Sequence, residues 1–443
     1  MAEPATAAPR ASLSTLDAAA MLVGIVIGIG IFKTPSLVAN FVPNETFFIG
    51  MWLLGGFVTF VGALCYAELG SSRPSAGGEY QFLKDAYGPK VSVLFAWARC
   101  SVIQPGAIAA VAFVFGDYAN VLLDLGPHGP AIYAVIGVLI ITGVNFAGTM
   151  QGKQTQLVLA LLTVAAVLVV AVAGFTAPAP SGPPAQPRDF AWGMAGLSMV
   201  FVLLTYGGWN EAAYLSGELK DVKRNMVRAL MLGVAVIVAL YLLINFAYLH
   251  ALGIEGLRKS NAVGADLMKI VAGQNGAIVL SLIVCITAAS TLNGTIFTGA
   301  RSYFALGRDV SVFHRLGIWE ERGQNPANGL IVQGIIAIVL ILFGSTTRDG
   351  FEHMVAYTAP VFWLFMLLVA LSIIVFRMRE PGRELPFKVP LYPLPPLILA
   401  AACAWMFYSA LLYAGWGSIM GVVVLAIGLP LMFLQRELQT SGG

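Results

Sequence analysis

Residues Val23 to Ser36 read V-G-I-V-I-G-I-G-I-F-K-T-P-S, an apolar stretch inside a run long enough to cross a bilayer, yet broken by Gly24, Gly28, Gly30 and Pro35. Glycine costs about 1 kcal/mol relative to alanine inside a helix. Unwinding in hydrocarbon also frees backbone groups that must find partners in protein, water or ligand. Close helix packing explains Gly24 and Gly28 taken alone, since they form a small-xxx-small pair. A second interrupted run, Val202 to Ser216 (V-L-L-T-Y-G-G-W-N-E-A-A-Y-L-S), lies roughly half the chain later and changes that reading. Two weak spans at corresponding places point to a shared binding site. Half-helix ends there present orphan N–H groups with partial positive charge and orphan C=O groups with partial negative charge, matching the two ends of a zwitterion.

Around these stretches the composition excludes an ordinary soluble protein: 443 residues, 58% hydrophobic and 11% charged, with a mean hydropathy of +0.83. Runs of about 20 apolar residues suffice to cross a hydrocarbon core of about 30 Å. Twelve are expected, near 16–42, 47–69, 91–123, 130–146, 156–175, 192–216, 229–249, 276–306, 329–343, 354–376, 394–413 and 417–433. The first residues lack an apolar core with a cleavage site, so residues 1–15 are expected to be a polar tail rather than a signal peptide.

With both termini cytoplasmic, 17 Lys and Arg fall in or near the inner connections and 5 in the outer ones, which favours that orientation in the cell membrane. The Pro-rich segment 176–191 is then an external loop between a first repeat, 16–175, and a second, 192–376. Five spans per repeat is odd, so the repeats run in opposite senses, the build of many secondary transporters. Residues 377–435 add two C-terminal spans, and 436–443 a tail. The fold expected is an all-α membrane protein of twelve transmembrane helices.

Cys65, Cys100, Cys285 and Cys403 lie in apolar spans without ligand spacing, so neither a disulfide framework nor a metal site is expected. A net charge of +3 gives no reason to expect a nucleic-acid partner. No nucleotide-binding loop or nucleophile constellation is visible, so the chain reads as no enzyme and as needing no cofactor. Lys33 reads as a snorkelling or vestibule-facing charge. Glu211 is an intramembrane carboxylate and therefore a functional candidate, for a cationic substrate or a carried proton, against a structural pairing with Arg99 or Tyr206 or a solvated position in the vestibule.

Four short motifs occur in order. They are Gly28-Ile29-Gly30-Ile31-Phe32; Ser75-Ala76-Gly77-Gly78-Glu79-Tyr80 with Tyr87-Gly88-Pro89; Tyr206-Gly207-Gly208-Trp209-Asn210 with Glu218; and Asn293-Gly294-Thr295-Ile296-Phe297-Thr298 with Arg301. In them the chain resembles the amino acid, polyamine and organocation transporter superfamily, and within it the L-type amino-acid transporter branch, over about residues 15–435. The resemblance implies a leucine-transporter-like 5+5 inverted repeat and alternating-access movement of amino acids. It implies that N–H groups around Ile29, Gly30 and Ile31, in the turn opened by Gly28, hold the substrate carboxylate. Carbonyls of Val26, Leu204 and Gly207 would hold its amine, and Tyr206, Gly208, Asn210 and Glu211 would complete the pocket.

Three positions depart from the branch. Ile29 replaces a serine, so its hydroxyl contact is lost. Leu204 replaces an aromatic gate. Thr163 replaces a lysine that fills the region where sodium-coupled relatives hold their ion. Thr163, Ser290 and Thr291 are thus candidates for a coupling site, for Na+ or H+, against a neutral polar patch. The segment Asp124 to Pro130 lacks the cysteine by which other relatives bind a glycoprotein, so no disulfide-linked partner is expected. An amino acid and the lipid bilayer are the partners expected. The alternatives are a nutrient receptor of the same fold and a cationic amino acid or polyamine transporter in which Glu211 reads the charge.

Overall fold

The structure, a computed structural model, describes residues 15, 19, 23, 26–73, 78–147, 153–180, 189, 191–209, 222–320, 325–347 and 349–433. A three-ten turn, Ile29–Phe32, leads into α1 (Thr34–Phe41), followed by α2 (Glu45–Ser72) and the short α3 (Glu79–Tyr87). Next, α4 (Pro89–Ala98) continues through a π turn (Arg99–Ile103) into α5 (Gln104–Leu122). Then come α6 (Gly129–Phe146), α7 (Lys153–Thr176), α8 (Trp192–Thr205), α9 (Val222–Lys259) and α10 (Val263–Asp309). The last helices are α11 (Ala327–Gly344), α12 (Gly350–Arg379), α13 (Leu394–Tyr413) and α14 (Trp416–Ile427).

Among the described residues nine helices are long and apolar enough to cross a membrane, and Leu161–Thr176 and Trp192–Thr205 are shorter apolar helices. A lone bridge between Glu320 and Asn325 is the nearest approach to a sheet among them. The fold is an all-α, multi-pass membrane bundle. Leucine, isoleucine and valine stay exposed along whole helix faces, as at Leu139, Ile140, Ile335, Val339 and Leu342. Lipid chains are as apolar as these residues, so such faces have no reason to pack inward.

Helix ends follow local chemistry. Asn44 caps α2 by accepting from the Phe47 N–H at 3.0 Å, and Asp349 caps α12 by accepting from the Glu352 N–H at 3.1 Å. The π turn has an equally local cause. Pro105 has no N–H to give the Ser101 carbonyl, and the Gln104 N–H bonds back to Arg99 O, so the Cys100 and Ser101 carbonyls lose helical partners. Two tyrosines from other helices replace those donors: Tyr303 on α10 donates to Cys100 O, and Tyr357 on α12 donates to Ser101 O at 3.0 Å. The irregular turn is thereby tied to both neighbours.

The connection between α9 and α10 is more structured than a plain loop. Helix α9 bends at Gly253 (φ +62°) and runs on to Lys259; α10 starts at Val263 and bends at Gly273 (φ +64°). The two bent pieces form a lid over the end of α1. Arg258 reaches from it to the Ala39 and Val42 carbonyls, at 2.9 and 2.8 Å, where α1 leaves its last carbonyls unpaired.

Candidate functional site

The two glycine-weakened stretches do break, and they meet. In the first, regular helix stops before Gly28, whose backbone is extended, and the chain resumes as the three-ten turn. In the second, α8 ends at Thr205; Tyr206 caps it and Gly208 takes φ +101°, a conformation that favours glycine. A Cβ built on Gly30 would lie 3.5 Å from the Thr205 Cα, and the Thr34 and Thr205 hydroxyl oxygens are 2.6 Å apart.

The freed carbonyls are answered from α9. The Tyr241 hydroxyl lies 2.9 Å from Val26 O and 3.1 Å from Thr205 O, so one proton is shared between acceptors in both breaks. Val26 O also accepts from the Gly28 N–H at 2.7 Å, and Leu204 O accepts from the Gly207 N–H at 3.1 Å. Tyrosines inside membrane helices need acceptors. That was the available sequence signal for Tyr241, but nothing in the sequence says which carbonyls it reaches.

A cavity of about 690 Å³ opens beside the breaks. Ile27, Gly28, Leu204, Gly207 and Gly208 line it, as do Thr163, Ser290 and Thr291 on the opposite wall. Leu204 is 44% exposed. Val26, Ile29, Ile31 and Tyr206 are buried, and Gly30 packs against Thr205. Tyr206 points away from the cavity to α2, donating to Trp52 O at 3.2 Å. The glycines of α2 make room for this anchor: a Cβ at Gly62 would come within 2.6 Å of the Trp209 ring, and one at Gly56 within 3.4 Å of the Tyr206 hydroxyl. The aromatics of the Tyr-Gly-Gly-Trp motif thus dock the broken span while its glycines face the cavity. Asn210, Glu211 and Glu218 lie outside the described residues, as do Gly24 and residues 75–77.

On the opposite wall Thr163 Oγ1 is 3.3 Å from Thr287 Oγ1, and Thr287 and Thr291 donate to carbonyls one turn back in α10. Those protons are committed to the helix, leaving oxygen lone pairs for whatever enters. Among the described residues no His, Cys, Asp and Glu cluster could hold a metal ion. All four cysteines are buried and free.

The cavity has a direction. Along α4 and α5 it is lined from Phe95 and Arg99 to Ala110, and beyond that Ala112, Phe113, Val114 and Tyr118 are buried. At its other end the lining Thr298 is exposed and Arg99 partly so, and buried Glu79 lies 3.6 Å from Arg99. At the closed end the Tyr118 hydroxyl donates to Phe32 O at 2.8 Å and accepts from the Gly264 N–H of the lid at 3.2 Å. Phe41 stacks on Phe201 there, with centroids 5.6 Å apart. Lys33 is not snorkelling: it is 1% exposed and sits between Asp117 and Asp349. A lone lysine would carry a large desolvation cost there, and the two carboxylates offset it.

A family profile described as "Amino acid permease" matches residues 13–429. The b(0,+)-type amino acid transporter 1 of Homo sapiens is 29% identical over 441 residues, covering 98% of this chain and 89% of the relative. Its Rattus norvegicus counterpart is 28% identical with the same coverage. The large neutral amino acids transporter small subunit 2 of Homo sapiens is 27% identical over 439 residues, covering 96% and 80%.

Proposed function

The chain belongs to the amino acid permease family and works as a secondary transporter of amino acids rather than an enzyme, and from that premise we propose how its geometry carries substrate. It is a twelve-span carrier with a 5+5 inverted repeat over residues 16–175 and 192–376, followed by two C-terminal spans, with both termini cytoplasmic. The substrate sits at the two breaks. N–H groups around Ile29, Gly30 and Ile31 hold its carboxylate, and the Leu204 and Gly207 carbonyls its ammonium. Val26 O already accepts two hydrogen bonds, so an ammonium there has to displace one of them.

The observation that carries this reading is one cavity bordered by both breaks, open past Arg99 and shut at Lys33. With the termini cytoplasmic, the open end faces the cytoplasm and the structure is the inward-facing state. Apolar lining at Val200, Leu203, Leu204 and Phe362 favours a neutral side chain. The cationic reading hangs on Glu211. Thr163, Ser290 and Thr291 supply the oxygens of a coupling site if the carrier uses Na+, and a H+ gradient is the other candidate. The carrier acts without a disulfide-linked partner at Asp124 to Pro130.

Purified protein in liposomes, given radiolabelled neutral and cationic amino acids with and without a Na+ or pH gradient, tests this. Uptake or exchange of neutral amino acids is expected. Binding without accumulation or exchange would instead make the protein a receptor, and uptake of cationic amino acids alone would overturn the neutral-substrate reading.

A further inference from the structure

The closed end of the cavity depends on a charged contact assembled from four parts of the chain. Lys33 Nζ lies 2.9 Å from Asp117 Oδ2 and 2.8 Å from Asp349 Oδ2, and it donates to Asn261 O at 3.4 Å. Lys33 follows the three-ten turn of the substrate site, and Asp117 is near the end of α5. Asp349 is the N-cap of α12, and Asn261 belongs to the lid. The two oxygens of Asp349 divide their work: Oδ1 caps α12, while Oδ2 faces Lys33.

We propose that the Lys33–Asp117–Asp349 triad is the latch of the lid-side gate, so that, while Asp117 and Asp349 carry charge, this end closes only with Lys33 between them. The inference rests on the alternating-access reading. The physical reason is that the three groups sit on elements that must part for the lid side to open. Opened, each regains water; closed, each is desolvated and relies on the others. A complete triad therefore roughly balances its desolvation against its attraction and permits both states. Without Lys33 two like-charged carboxylates face each other with no attraction to offset their burial, and without the carboxylates a lone ammonium is buried; either penalises the closed state alone, and populations follow that difference. Lys33 is a positioning residue in this scheme. Its ammonium does not touch the substrate, but its backbone continues the turn proposed to hold the substrate carboxylate.

The test uses full-length protein in liposomes with Ala107→Cys as a reporter in the cavity wall, labelled by a charged, membrane-impermeant thiol reagent added to either face. The parent is expected to react slowly from the lid side without substrate. Lys33→Gln should raise that rate by about tenfold or more, whereas Lys33→Arg should keep the parent rate. Lys33→Gln combined with Asp117→Asn and Asp349→Asn should return the rate toward the parent's, because no charge is then buried and asparagine still caps α12. Asp117→Asn with Asp349→Asn strands the ammonium and should also open the lid side, which keeps the test available if Lys33→Gln fails to fold.

Lid-side labelling unchanged in Lys33→Gln, or in the double asparagine variant, overturns the latch. So does a triple variant that stays as open as Lys33→Gln, since lost packing rather than charge would then be the cause. A parent that binds amino acid but never exposes the reporter to the lid side, with or without substrate, overturns the alternating-access reading and the latch with it. A parent that alternates while its variants match it overturns the latch alone.

Discussion

The Tyr241 hydroxyl stands 2.9 Å from the carbonyl oxygen of Val26, joining α9 to the first break across 215 residues of sequence. The same hydroxyl reaches Thr205 O in the second break, so a single side chain from a third helix holds the two halves of the site in register.

Tyr241→Phe keeps the ring and removes the shared proton. It strips one donor from Val26 O and the nearby donor from Thr205 O, for an expected loss of about 1–3 kcal/mol of stability. Transport should fall several-fold, read as a lower melting temperature in detergent and a lower uptake rate in liposomes. A variant with unchanged values of both would mean that the carbonyls are served in another way.

At Gly30 the space to Thr205 is ordinary van der Waals contact for one added carbon. Gly30→Ala is therefore expected to keep measurable transport, and Gly30→Val, with two further carbons pressing on Thr205, to lose it by about tenfold or more. Ile29→Ser should be tolerated or should lower the apparent KM, because it adds a hydroxyl beside the turn proposed to hold the carboxylate. Concentration-dependent uptake by the three variants decides the point.

The π turn offers a coupled test. Tyr357→Phe takes the donor from Ser101 O, at an expected cost of about 1–3 kcal/mol. Pro105→Ala restores a backbone N–H that the same carbonyl can accept. The double variant should then be less destabilised than the sum of the two single changes, by about 1 kcal/mol in a double-mutant cycle of denaturation midpoints.

Outside the membrane, Glu380 bonds to Arg383 at 2.7 Å and to Arg73 at 2.6 Å, and these partners hold its carboxyl below the usual glutamate range. A depressed folded-state value means stability present above the unfolded value and lost as pH falls through the folded one. Between about pH 5 and pH 3 the melting temperature of the parent should therefore fall more than that of Glu380→Gln. The difference should be small, because the pairs are solvent-exposed. Parallel curves would show that the pairs contribute nothing.

Much of the architecture was legible because hydrocarbon is an unforgiving solvent. Long apolar runs had to be spanning helices, and Gly28 and Gly208 marked where those helices would give way. The motif residues carry the family resemblance in their order along the chain alone. Less legible was how the motif divides its labour. Tyr206 and Gly207 are adjacent in sequence, yet one anchors to Trp52 and the other faces the cavity, because the chain turns between them. The structure of the connection between α9 and α10 was likewise not legible. Its polarity was plain, but docking through Arg258 depends on carbonyls of α1 more than 200 residues earlier.

Patterns local to a span were thus set by the chain's own order of residues: the spans themselves, their weak points, the proline that forces the π turn and the caps at Asn44 and Asp349. Each depends on the chemistry of a few neighbouring residues against lipid or water. Tertiary structure alone decided the partners: Tyr241 with Val26 and Thr205, Tyr357 with Ser101, and Lys33 with Asp117 and Asp349. A freed carbonyl or a buried ammonium announces that it needs a partner, but which group answers depends on how distant helices are rotated and stacked, and no local pattern carries that information.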